Sequence, residues 1–236
     1  MKNILITGCS RGIGFHIVKQ FVKMDILNIL CISRNKIGLQ KLQSECLIIN
    51  PKAKIHQLVL DLSEINSFDF IVNYIRDIKI GNLDLLINNA GFLVNKPFQD
   101  ITLQELDDSI NINAKAPFLL IQRLIPFFNK NAHIVSISSM GGVQGSIKFT
   151  GLSSYSSTKS FIMTLTECLA EEFKDTDLKF NCLALGAVQT EMLENAFPGY
   201  KAPTSADEIS RYIYKFCIEG NTYFNGKIIP VSKTTP

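Results

Sequence analysis

The chain reads as an α/β protein: a doubly wound, parallel sheet of about seven strands with helices on both faces. Three observations predict it. Short apolar runs alternate with helical patterns along all 236 residues, the signature of strands joined by crossover helices. A glycine turn ends the first apolar run and opens the first helical pattern. No linker, low-complexity tract or repeat beyond the βαβ recurrence interrupts the series. Residues 1–236 are therefore read as a single domain, large enough to bury roughly 70–75% of its unfolded surface.

The first strand is predicted at 3–7, where Ile4 to Thr7 form a short apolar run. The helix at 12–24 follows from Ile13, Ile17, Val18, Phe21 and Val22, which recur at helical spacing. Further strands are expected at 27–33, 54–60, 83–88, 132–138, 178–185 and 227–231. Helices are expected at 36–48, 64–79, 102–129 (in one or two pieces), 153–174 and 204–219. Two mononucleotide-binding halves give the strand order 3-2-1-4-5-6 of a Rossmann-type sheet.

Composition removes several classes of function. Hydrophobic residues make up 46% of the chain, too many for a disordered segment. The net charge is only +3, and no lysine or arginine block forms a nucleic-acid footprint. Six cysteines (9, 31, 46, 168, 182 and 217) contain no C-x-x-C pair, which argues against a metal site or a redox pair. Reduced thiols in a cytoplasmic protein are the expectation. No run approaches the ~18 apolar residues of a membrane span, and the short N-terminal run is not that of a signal peptide. His16, His56 and His133 have no evident serine and carboxylate partners, so a hydrolytic triad is excluded.

Two patterns carry chemistry. Gly8, Gly12 and Gly14, between strand and helix, make a Gly-x-x-x-Gly-x-Gly turn. Missing side chains there let backbone approach a pyrophosphate, whose charge favours the positive helix N-terminus. Tyr155 and Lys159 lie four residues apart, one helical turn, so phenol and ammonium share a face. A lysine beside a phenol favours the phenolate, predicting a tyrosine that exchanges a proton near neutral pH. The second strand ends at Ser33-Arg34 without the carboxylate that would hold a ribose 2′-hydroxyl, and Asp25 precedes that strand. Arg34 offers a donor fork to a 2′-phosphate, Ser33 a hydroxyl, and Arg11 a second cation. NADP(H) is the expected cofactor.

Thr7 to Gly14 resembles the nucleotide motif of the short-chain dehydrogenase/reductase family, in its compact single-domain subgroup. The segment Asn88, Asn89, Ala90, Gly91 resembles its second signature, and Ser139, Asn113, Tyr155 and Lys159 match its catalytic residues, in order over residues 3 to about 192. The resemblance implies a seventh strand and an oxidoreductase moving hydride between NADP(H) and a carbonyl or secondary alcohol. Tyr155 would be the acid/base, Ser139 would hold the substrate oxygen, and Lys159 would tune Tyr155 and bind ribose. It also implies cofactor contacts from Gly8, Ser10, Arg11, Gly12, Ile13, Gly14, Ser33, Arg34, Asp61, Leu62, Asn89, Ala90, Gly91, Gly186, Val188 and Thr190. Pro117 has no N–H, which leaves the carbonyl of Asn113 without its helical donor and able to hold the water of the family's proton relay.

Leu185 stands where the family commonly has proline, and Thr158 and the ending Val231 to Pro236 also depart from its pattern. The expected substrate walls, Phe92 to Val94, Met140 to Phe149 and Glu191 to Pro203, are mostly apolar and favour a ketone or acyl-type carbonyl. Apolar excess on helices 102–129 and 153–174, including Phe118, Phe161 and Leu165, predicts a homo-oligomer, a tetramer or a dimer. The rival reading is a catalytically silent NADPH sensor, which would need only the cradle. A nucleotide-sugar epimerase would need a further C-terminal domain.

Overall fold

The computed structural model describes residues 2–26, 28–64 and 67–233. The predicted first residue of strand two, residues 65–66 of the helix predicted at 64–79 and the tail 234–236 lie outside those residues.

One sheet of seven parallel strands organises the chain. It comprises β1 (Asn3–Thr7), β2 (Asn28–Ser33), β3 (Lys54–Val59), β4 (Leu83–Asn88), β5 (Phe128–Ser139), β6 (Lys179–Leu185) and β9 (Lys227–Val231), ordered β3-β2-β1-β4-β5-β6-β9. Alternation along the strands divides the core. Ile4 and Ile6 face α1 (Gly12–Lys23), α2 (Lys36–Ile49) and α8 (Ala206–Glu219), packing with Ile17, Leu39 and Ile213. Leu5 faces the other way, among Ile71 of α3 (Ser67–Asp77), Leu120 of α5 (Ala116–Leu124) and Ala170 of α6 (Ser153–Glu172). A sheet buried on both faces accounts for the near-continuous apolar strands.

The predicted helix at 102–129 is shorter and broken. It becomes α4 (Leu103–Ile110), a wide π turn (Asn111–Lys115) and α5. In the π turn Ala116 N–H reaches Asn111 O, and Pro117 has no N–H to offer Asn113 O. Strand β5 begins at Phe128, four residues before the predicted start, because its leading residues Asn129, Lys130 and Asn131 are polar and show no apolar alternation. Two short strands, β7 (Val188–Gln189) and β8 (Thr204–Ser205), pair in parallel around α7 (Glu191–Ala196). None of these three is long enough to show a period in sequence. Among the described residues, no helix is long and apolar enough to cross a membrane.

Candidate active site

The glycine turn sits at the C-terminal edge of the sheet. Gly8 (φ 72°) and Gly12 (φ 57°) occupy the left-handed region that favours glycine. A Cβ on Gly8 would lie 2.9 Å from Ala90 Cα, so the turn rests directly on the loop after β4. That loop is stapled in return: Asn89 Nδ2 donates to Thr7 O (2.9 Å) and Gly8 O (3.2 Å), while Thr7 Oγ1 accepts from the N–H groups of Asn89 and Ala90. Gly14 has a different task. A Cβ there would meet Gly8 O at 2.3 Å, so this glycine lets α1 close on the turn and contributes no wall to the cleft.

The cleft beside the turn has a volume of about 710 Å³. Gly8, Ser10, Arg11, Gly12 and Ile13 form one end, with Ser33, Arg34 and Leu62 beside them. Helix α1 points its first turn here, with no side-chain cap from Arg11 and no acidic residue in that turn. Its free N–H groups and positive dipole end therefore face the cleft. Ser33 Oγ donates to Ser10 Oγ (2.8 Å). Both expected cations are exposed and already beside carboxylates: Arg11 with Glu191 at 2.7 Å and Arg34 with Asp61 at 3.4 Å. Leu62 lines the cleft, whereas Asp61 turns its carboxylate to Ser63 N (2.9 Å) and Ser63 Oγ (2.8 Å). Against the upward push of partial burial, these bonds and Arg34 hold the Asp61 carboxyl below its ordinary range.

Asn89, Ala90 and Gly91 connect this end to the other, where Ser139, Tyr155, Lys159, Gly186, Val188 and Thr190 line the same cleft. Tyr155 and Lys159 stand one turn apart near the start of α6, with Lys159 Nζ 5.8 Å from the phenol ring centre. Ser139 ends β5, which places its hydroxyl in the cleft with Tyr155 and lets it accept from Gly141 N (3.2 Å). Lys159 is 5% exposed and donates to Ile137 O at 3.0 Å. Asn113 comes in from the π turn beneath them. Its Oδ1 accepts from Phe92 N (2.8 Å), and its Nδ2 donates to Phe92 O (2.8 Å) and Thr158 Oγ1 (3.0 Å).

The electrostatics differ from the sequence expectation. Burial pushes the Tyr155 phenol above its ordinary value, the Ser139 hydrogen bond pulling only partly back. Burial drives Lys159 down to about 8, with Cys182 opposing. A buried ammonium is costly, so the lysine releases its proton more readily than a free one. The pair is adjacent, as its spacing requires; in this fold desolvation outweighs attraction.

Several neighbours of the site carried no sequence signal. Asn95 donates from Nδ2 to Ala196 O (2.8 Å), joining the loop after β4 to the end of α7. Ser232 packs on Gly186, where an added Cβ would lie 2.2 Å from its Oγ. Leu185, at the family proline position, is buried and pairs with Val231. The adjacent Gly186 N–H donates to Val231 O at 2.9 Å. Thr158, noted only as a departure, anchors Asn113. Each of these depends on chain segments far apart in sequence.

The model of the short chain dehydrogenase family matches residues 2–201. The chain belongs to that family, and it is an oxidoreductase of this class. A ketoacyl reductase of Nostoc is 30% identical over 194 residues, covering 81% of this chain but only 65% of the relative's length. Among solved structures, a 3-ketoacyl-(acyl-carrier-protein) reductase from Brucella melitensis complexed with NADH superposes with a TM-score of 0.84 at 22% identity, covering 98% of this chain and 96% of that one. A short chain dehydrogenase from Burkholderia cenocepacia in complex with NADP gives 0.87 at 21% identity, with the same shares covered. At such identities the two structures establish the shared fold.

Proposed function

We propose that residues 1–236 form one cofactor-binding and catalytic domain that transfers hydride between NADP(H) and a carbonyl or secondary alcohol. The observation that carries this reading is the convergence of Ser139, Tyr155 and Lys159 in the same cleft as the glycine turn, with Asn113 directly behind. A catalytically silent sensor has no use for that second cluster.

The residues fit a dinucleotide. Glycines without side chains and the uncapped start of α1 suit a pyrophosphate. Arg11 and Arg34 suit a 2′-phosphate, since their present carboxylate partners are exposed ion pairs that contribute little and exchange readily. The solved relatives carry NADH in one case and NADP in the other, so the arginines support NADP(H). When bound, the nicotinamide supplies the hydride. Tyr155 donates the proton to the substrate oxygen in reduction and takes it back in oxidation. Ser139 holds that oxygen and Tyr155 together. Lys159 presents its ammonium to the phenol and the ribose side of the cleft. The carbonyl of Asn113 anchors the water that returns the proton.

Beyond Tyr155 the walls are Leu93, Met140, Phe149, Leu152, Leu193 and Phe197, which favours an apolar ketone or acyl-type carbonyl. Exposed Leu103, Leu106 and Ile110 on α4, Phe118 on α5 and Phe161 on α6 support self-association through these helices. Five of the six free cysteines are buried, in keeping with a cytoplasmic location. The deciding experiment is a panel of carbonyl compounds with NADPH, followed by loss of nicotinamide absorbance. No turnover across apolar ketones and acyl-type carbonyls, with NADPH tightly bound, would favour the sensor.

A further inference from the structure

Asn88 ends β4 and is 7% exposed. Among the described residues, its Nδ2 is the one buried side-chain atom with no hydrogen-bond partner. A buried donor left unpaired is costly, so such an atom marks a place that another molecule completes. It lines a narrow cavity behind Lys159 with about 10 Å³ of room, the space of one water.

The polar side chains on that wall are Thr7, Asn88, Asn113 and Lys159. Two are already engaged. Thr7 Oγ1 accepts from Asn89 N and Ala90 N and donates to Ile87 O, and both ends of the Asn113 amide are bonded to Phe92, with Thr158 as a further acceptor. Asn88 Nδ2 and the Lys159 ammonium, which has protons beyond its bond to Ile137 O, remain. On the side of the π turn, Pro117 offers no donor to the carbonyl of Asn113.

We infer that Asn88 is a positioning residue for Lys159: its amide and the lysine ammonium hold one water between them, with the carbonyl of Asn113 as the acceptor. The inference rests on the reading of Tyr155 and Lys159 as the acid/base pair. It adds a side-chain post to the Asn113 carbonyl. Two donors and one acceptor fix the water and, through it, the direction of the lysine's protons. A neutral amide suits this task. A carboxylate at 88 would tie Lys159 into an ion pair, and an aliphatic side chain would leave the cavity dry.

Two variants and one direct observation test it. Asn88→Leu keeps the approximate shape and removes the donor. Its kcat with NADPH should fall several-fold to about tenfold, the loss of one neutral hydrogen bond to the water. The substrate KM and the NADPH affinity, from fluorescence titration, should stay within about twofold. Asn88→Asp should move the alkaline limb of the kcat–pH profile upward, because a carboxylate keeps the ammonium charged. The titratable groups beside Lys159 are Tyr155 on its own helix and Cys182 on β6; the Cys182 thiol is pushed up by burial to about 12. The limb therefore reports the lysine and tyrosine. A high-resolution crystal structure of the wild-type protein should show a water within hydrogen-bonding distance of both Asn88 Nδ2 and Lys159 Nζ. A dry cavity, or an Asn88→Leu enzyme with wild-type kcat and pH profile, overturns the inference. If that variant does not fold, the Asn88→Asp profile and the wild-type crystal structure decide. If the wild-type enzyme turns over no carbonyl, the proposed function fails, while the crystal structure still decides the water.

Discussion

Replacing Lys159 with methionine should make the protein more stable and inactive. The side chain is 5% exposed, and burial lowers its pKa from 10.5 to about 8. The unfolded chain therefore binds this proton at pH values where the folded chain does not. Below about pH 8 both states hold it, and the folded protein bears the full penalty. Between about 8 and 10.5 the penalty shrinks as pH rises, because the wild-type lysine is then neutral when folded. The gap corresponds to ~3 kcal/mol at neutral pH. Methionine fills similar space without charge but leaves Ile137 O without its donor, a loss of about 1 kcal/mol. The net gain of ~2 kcal/mol should raise Tm by about 4–8 °C for a chain of this size. Thermal unfolding followed by circular dichroism at about pH 7 and about pH 10 measures both the gain and its decline. A Tm below wild type at neutral pH, or a gain that does not shrink at high pH, would refute the claim that burial of charge dominates this lysine. Loss of turnover in the same variant would show that the charge is retained for chemistry.

Tyr155→Phe should abolish turnover while NADPH titration gives nearly wild-type affinity; activity within about tenfold of wild type would falsify its role as proton donor. Arg34→Asp should shift preference from NADP(H) towards NAD(H) by roughly ten- to a hundredfold, the worth of an unpaired charged bond. Because the new carboxylate lands beside Asp61, Asp61→Asn in that background should improve NAD(H) binding; equal wild-type affinity for both cofactors would remove the arginine argument. Light scattering at micromolar concentration should give a multiple of the 26.4 kDa chain mass, whereas a monomer would mean that Phe118 and Phe161 are simply exposed.

Much of the fold was legible because each central element is regular over several turns or strand pairs. Ile4, Leu5 and Ile6 lie in an uninterrupted apolar run, and the sheet buries them on alternate faces. The glycine turn was legible for a similar reason, since φ above zero and close backbone approach leave few residue types able to serve. Regularity fails at 102–129, where Pro117 and the π turn divide one apolar pattern into two helices. It fails again at 188–205, where two-residue strands depend on their partners alone.

The sequence by itself determined the succession of strands and helices, the glycine cradle and the one-turn spacing of Tyr155 and Lys159, all set by local geometry, while the strand order followed from the two mononucleotide-binding halves and the family resemblance. Tertiary structure decided what those groups experience. It separated Gly14, which packs, from Gly8 and Gly12, which face the cleft, and turned Asp61 aside while leaving Leu62 on the wall. It also closed protein around both groups, so that desolvation raises the Tyr155 phenol against expectation and lowers the Lys159 ammonium, and placed the unpaired amide of Asn88 behind the lysine. Spacing along a helix fixes which side chains are neighbours. Desolvation and pairing depend on every segment that closes around them, and those segments meet only in the folded chain.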